Sequence, residues 1–150
     1  VLGDLFHGAA ANQDALQILL RDWMDRYASL SIQLVPGNHD RHVRLLPESL
    51  GIEVTPVLHI QRGHHFFHFP PPSNSQGSAF AGHLHPAVRL KEDGGPALHL
   101  PCFYRYHSLL ILPAFGSFTG NARISPLPES EVWGIVDSRL LSIPVDLCRS

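Results

Sequence analysis

Four short stretches hold most of the side chains able to bind a cation or move a proton: Gly3-Asp4, the run Gly37-Asn38-His39-Asp40, His68 just ahead of a proline run, and Gly82-His83-Leu84-His85. Each follows an apolar segment. In extended backbone His83 and His85 project to the same side, with Leu84 turned toward the core, which makes a ready pair of nitrogen donors. Gly82 removes a side chain where backbone must approach closely. In "RGHHFFHFP" the alternation puts His64, Phe66 and His68 on one face and His65, Phe67 and Phe69 on the other. Only His68 stands at the end of that run, so it is the expected ligand, with His65 as the alternative. Asp4 offers a carboxylate able to bridge two cations, and Asn38 a neutral oxygen. Nitrogen and oxygen donors without sulfur suit Mn²⁺, Fe or Zn²⁺. Two such ions about 3.5–4 Å apart can hold the attacking and leaving oxygens of an in-line displacement at phosphorus, so phosphate ester hydrolysis is the natural chemistry.

Composition narrows the field. The chain has 150 residues, 44% hydrophobic and 16% charged, enough for one domain with a core and too apolar for a disordered class. A formal charge of −2 provides no basic stripe for salt-sensitive binding to a phosphate backbone. Eleven histidines are a heavy load of the side chain most used for metal ligation and proton transfer. Cys102 and Cys148 form no C-x-x-C pattern, so neither a disulfide framework nor a thiolate zinc site is expected, and a reduced, cytoplasmic setting is the default. No apolar run approaches the roughly 20 residues of a membrane span.

The elements that must position these groups can be read from spacing. From Asn12 to Ala28, Leu16, Leu19, Leu20, Trp23, Met24 and Tyr27 recur at three and four residues, predicting a helix with one buried face and Asn12 as its N-cap. Leu30 to Val35 reads as a strand stopped by Pro36 and Gly37. With "VLGD" as a strand end, the opening is a βαβ unit and predicts a parallel pair. Beyond "LLPESLG" the chain turns strand-rich, with runs at 52–60, 64–69, 78–81, 98–103, 109–112, 132–136 and 140–145, the last two forming a hairpin around "DSR". The expectation is a single α/β domain over residues 1–150, two sheets with helices outside, whose polar clusters converge beyond the carboxyl ends of strands.

The order of these clusters resembles the calcineurin-like metallophosphoesterases, whose motifs run D-x-H, G-D, G-N-H-D/E, a later H, and G-H-x-H. "GDLFH", "GNHDRH", "GHLHPAVRL", "LPCF" and "LPAFGSFTGNAR" look like the bacterial DNA ligase-associated branch of that family. The resemblance implies a four-layer α/β/β/α sandwich and a phosphomonoesterase or phosphodiesterase that uses metal-activated water. Two divalent ions, Mn²⁺ first and Fe or Zn²⁺ next, are implied as cofactors. It also implies a nucleotide or nucleic acid substrate, and a DNA repair setting linked to a DNA ligase and a helicase. Carried over by position, it makes Asp4 the bridge between both metals, assigns Asn38, His68 and His83 to one metal and His85 to the other, and gives His39 to phosphoryl stabilisation or leaving-group protonation, with Asp40 orienting its ring. The family's D-x-H would precede Gly3. The expectation is therefore a fold truncated at its first strand, N-terminally incomplete, with a metal position short of ligands.

Residues outside the motifs carry blander expectations. His7 and His42 are placed at the lining of a substrate cleft with simple exposure as the alternative, and Arg123 there with a solvated or structural arginine as the alternative. Phe66, Phe67 and Phe69 are expected in the core rather than as a base-stacking platform, because no Lys or Arg run accompanies them. Gly116 and Gly120 lack P-loop spacing and are assigned to turns. The competing function is a catalytically inactive scaffold or interaction module, since a fold does not fix its function.

Overall fold

The computed structural model describes residues 1–6, 14–40, 47–60, 63–71, 77–90, 96–116 and 119–148. It is a mixed α/β molecule dominated by strands. After an N-terminal segment comes one α-helix, α1 (Asp14–Arg26), then β1 (Gln33–Leu34), a 3-10 turn (Pro47–Leu50), β2 (Glu53–Val54), β3 (Leu58–Ile60), β4 (His64–Phe67), β5 (Ser78–Ala81) and β6 (Pro86–Leu90). The chain continues through β7 (Leu98–Tyr106), β8 (Leu109–Ile111), β9 (Ala122–Arg123), β10 (Glu131–Val136) and β11 (Arg139–Ile143) to a 3-10 turn at Val145–Cys148.

A small parallel sheet joins β1 to β2. Val1 adds to it: its N-terminal amine donates to the Gln33 carbonyl at 2.7 Å, and the Val35 amide donates to the Val1 carbonyl at 3.0 Å. Those alternating bonds are the parallel pattern, so the opening has the βαβ sense expected of it. The helix carries Asp14 in its first turn and Arg26 in its last, which matches the helix dipole.

Its packing departs from expectation. No residue of α1 is buried; only Leu20 and Met24 lean on the cluster of Phe6, Leu34, Leu50 and Ile52. Leu16, Leu19, Trp23 and Tyr27 stay exposed. A cleft of about 330 Å³, lined by Val1, Leu5, Trp23 and Ile32 among others, lies between the helix and the smaller sheet. The i, i+4 pair Leu20/Met24 lines it and reaches the cluster. The expected N-cap, Asn12, lies outside the described residues.

The larger sheet runs in the order β11-β10-β7-β8-β5-β4-β3, with β6 and β9 attached through β7. β4, β5 and β8 are parallel neighbours. The nine-residue β7 changes partners along its length: Leu98 to Pro101 pair with β6, Cys102 to Arg105 with β10, and Tyr104 to Tyr106 with β8. Pro101, which has no N–H to give, sits where the ladder passes from one partner to the next. Cross-strand pairing places Val88 opposite Leu100 and Val132 opposite Ile143. These four, with Cys102 and Cys148, form the second core cluster. Each fully buried aliphatic chain in it contributes about 1.5–3 kcal/mol. The β10–β11 hairpin turns through Asp137 in the left-handed region, as expected around "DSR". β6 and β9 were not expected from the sequence. The 52–60 run divides into β2 and β3, which belong to different sheets.

Candidate metal centre

The register of β4 and β5 sets the stage. Phe67 is opposite Ala81, so His68 and Gly82 emerge side by side from two parallel strands. The Gly82 amide donates to the carbonyl of His68 at 3.2 Å. One residue further, the His83 ring lies 4.8 Å from the His68 ring, edge to face. The smaller sheet delivers the rest: Gly3 and Asp4 follow the Val1 segment, and Asn38 to Asp40 follow β1. The site is thus the seam between the two sheets, at the carboxyl ends of their strands, as the sequence led one to expect.

Close approach across that seam depends on missing side chains. A Cβ at Gly3, whose φ is +90°, would overlap the His68 ring, and a Cβ at Gly37 would overlap the Asp4 carboxylate. Asp4, His83 and His85 all have positive φ, at 53°, 61° and 46°. Non-glycine residues held there cost on the order of 1 kcal/mol or more each, and such conformations cluster at functional sites. Left-handed backbone at His83 and His85 also corrects the extended reading of "GHLH". The turn it makes leaves Leu84 exposed rather than facing the core.

Asp4, His68 and His83 each bring a donor atom within 4.8 Å of the others. His68 is buried and its ring is held through Nδ1. Nδ1 donates to the Leu2 carbonyl at 2.9 Å, and Nε2 faces the Asn38 Oδ1 at 3.1 Å and the Asp4 Oδ2 at 3.8 Å. With the Nδ1 proton committed to Leu2, the Nε2 lone pair points at two further oxygen donors. Three electron-rich atoms converge, and that arrangement is relieved by a cation between them. The donor set therefore fits a divalent metal of the borderline or hard class.

His83 has its pKa lowered from the ordinary 6.5, first because burial penalises its charged form, then because the His68 charge opposes its own. The Asp4 carboxylate works the other way, while His85 and His39 add to the lowering. A neutral imidazole is the ligating form, so the environment favours binding.

The remaining expected residues are placed as follows. His85 stands outside the 4.8 Å group; its Nδ1 donates to the Gly120 carbonyl at 3.1 Å, leaving Nε2 as the lone-pair nitrogen. The His39 amide donates to the Asp4 Oδ1 at 2.9 Å, which ties its backbone to the cluster. The Asp40 carboxylate accepts from the backbone amides of Asp4 and Gly37 at Oδ2 and of Phe6 at Oδ1. That is a bracing function on the main chain, which the sequence reading did not anticipate. Arg123 is exposed on β9, paired in register with Ala87 two residues beyond His85. His7 and His42 lie outside the described residues. His65, the alternative to His68, packs edge-on against Phe67 and is not in the cluster.

Two supports could not have been found by motif. The carbonyls of Leu2 and Gly120 orient His68 and His85, and backbone carbonyls leave no mark in a sequence. Phe69 was expected in the core and is instead half exposed, its ring 4.5 Å from His68 and 4.2 Å from His83.

No helix among the described residues is long and apolar enough to cross a membrane. No family model and no curated protein matches the chain. Among solved structures, the nuclease MPE of Pseudomonas putida is similar at 33% sequence identity and a TM-score of 0.78, covering 95% of this chain and 68% of that one.

Proposed function

The chain belongs to the family of the Pseudomonas putida nuclease MPE, and from that premise we propose that it is a metal-dependent phosphoesterase that hydrolyses phosphodiester bonds, with nucleic acid as the substrate class. The observation that carries this reading is the convergence of Asp4, His68 and His83 donor atoms, with the Asn38 oxygen turned onto His68.

In this reading Asp4, Asn38, His68 and His83 hold one divalent ion, and Asp4 with His85 contributes to a second; manganese is the first candidate. Bound there, the ions supply positive charge that polarises the phosphoryl group and makes water a stronger nucleophile near neutral pH. The protein's own part is positional. His68 is locked by Leu2, so its Nε2 cannot swing away from Asp4. His39, anchored through its amide to Asp4, stabilises charge on the phosphoryl oxygens or donates a proton to the departing oxygen. Asp40 keeps the two loops in register so that the Asp4 carboxylate stays where the ions need it. We extend the proposal to the four-layer α/β/β/α metallophosphoesterase sandwich as a single domain. It extends also to the DNA ligase-associated branch and its link to ligase and helicase partners, on the strength of the motif order in "GNHDRH" and "GHLHPAVRL".

The test is hydrolysis of bis(4-nitrophenyl) phosphate during manganese titration. Turnover that rises with bound manganese and disappears in Asp4→Asn supports the reading. Stoichiometric metal binding with no turnover in manganese, iron or zinc would overturn it.

A further inference from the structure

Phe69 differs from the other aromatic residues of its segment. Phe66 stacks on Phe80, with ring centroids 4.7 Å apart and 10° between planes, and Phe67 is partly buried. Phe69 leaves the strand after His68 and keeps 49% of its surface open. Its ring is nonetheless held: it meets His68 edge-on at 76° and His83 at 56°. An aromatic ring fixed against two members of the metal cluster, with much of its surface toward solvent, forms part of the lip of that site. Leu84, next to His83 in the chain, is also exposed, at 38%.

Bracing two histidine rings does not by itself require exposure, because a buried ring would brace them equally well. Leaving a phenylalanine half open forgoes part of the stabilisation its burial would bring. What the exposed part offers is a flat π surface beside the place where a phosphate would be held. The complementary chemistry is a nucleobase. Bases in a duplex are already stacked on their neighbours, so only an unpaired base has a face to give. The charge balance points the same way: at −2 overall, the chain cannot rely on a broad cationic field to hold a polyanion, and stacking is attraction that needs no such field.

We propose that Phe69 is a base-stacking residue that receives an unpaired nucleobase adjacent to the phosphodiester held at the Asp4–His68–His83 cluster. This rests on the phosphodiester reading above. Phe69 is a specificity residue here, while the donors beside it serve the metal.

The experiment is binding of a fluorescently labelled oligothymidylate to the manganese-loaded protein, read by anisotropy before turnover. Phe69→Ala and Phe69→Leu weaken binding by on the order of 10-fold, and Phe69→Trp retains it. The same oligonucleotide made abasic binds the unaltered protein about as weakly as the normal strand binds Phe69→Ala, and Phe69→Ala does not discriminate between the two strands. Manganese content stays unchanged throughout. Equal binding by Phe69→Ala, rescue by Phe69→Leu, or indifference of the unaltered protein to base removal overturns the inference. If bis(4-nitrophenyl) phosphate is hydrolysed but no oligonucleotide binds, stacking falls and the phosphoesterase reading stands. If Phe69-dependent binding persists without any hydrolysis, the phosphoesterase reading falls and stacking stands.

Discussion

The carboxylate of Asp40 holds the backbone of Asp4: Oδ2 accepts the Asp4 amide at 2.8 Å, although the two residues are 36 positions apart. The same oxygen accepts the Gly37 amide at 2.7 Å, and Oδ1 accepts that of Phe6 at 3.0 Å. One side chain thereby fastens the loop carrying Asp4 to the loop carrying Asn38 and His39.

Asp40→Ala should leave three partly buried N–H groups without an acceptor. The cost is on the order of 2 kcal/mol or more of folding stability, since unmade hydrogen bonds of buried donors carry their full desolvation penalty. Manganese affinity should fall by roughly 10–100-fold, the usual effect of removing a group that supports a ligand. Urea denaturation and metal titration measure the two losses. Unchanged metal affinity would show that Asp4 does not need this brace.

Asp4→Asn and His39→Ala should separate binding from chemistry. The first keeps an oxygen to accept the His39 amide but removes the charge at the centre of the cluster, so metal content drops sharply. The second keeps the cluster, so metal content stays near normal while turnover slows by roughly 10²–10⁴-fold if His39 is the proton donor. Elemental analysis beside hydrolysis rates checks the division, and equal metal loss in both variants would refute it.

Gly3→Ala should be severely destabilising for a residue with no side chain of its own. The added methyl meets the His68 ring, and the backbone there is left-handed. On the order of 2–3 kcal/mol should be lost. His68 should shift away from Asn38, which manganese affinity would report even where the fold survives.

The metal-free protein should lose stability as pH falls through about 6.5. His83 has a lower pKa folded than unfolded, so below 6.5 the unfolded chain binds the extra proton first, and stability rises with pH across that window. Melting temperatures at pH values on either side of 6.5 measure the slope, and His83→Asn should flatten it. A slope of the opposite sign would mean that Asp4, not burial and His68, governs this imidazole.

At alkaline pH the sign reverses. Burial, with the nearby Cys148, pushes the Cys102 thiol up to about 12. The folded protein therefore keeps a proton that the unfolded chain releases above about 9, and stability falls as pH climbs through that range. Both thiols should be inert to a disulfide reagent near pH 8 and react together on denaturation. Rapid labelling of the native protein would contradict the burial of Cys102 and Cys148 in the sheet core.

The Asp4–His68–His83 group was legible because its members sit in compact local patterns. His68 could be preferred over His65 from its place at the end of an alternating run, and β5 was read to its true bounds at 78–81. The failures share a cause. Helical periodicity in α1 marked six apolar residues, yet how many of them pack depends on what the opposite surface supplies, and there only the Phe6–Ile52 cluster met Leu20 and Met24. β6 and β9 escaped notice because "PAVRL" opens with proline, and Ala122–Arg123 carries no alternation; both exist through pairing with partners remote in sequence. The bracing of main-chain amides by Asp40 went unread, since spacing cannot reveal that an acceptor faces backbone amides from another loop. Phe69 looked like core because three phenylalanines in four residues suggest burial, and only the bend after β4 turns one outward.

Strand β7 serves three ladders, with β6, β10 and β8, and residues 82–85 carry the chain from β5, which pairs with β8, to β6. The offset of His85 from His83 should accordingly respond to the twist of β7 between Leu100 and Tyr104, as well as to the loop that bears both imidazoles. Replacements at Pro101 or Cys102 should act as remote tuning screws on the spacing of the two imidazoles, without touching either.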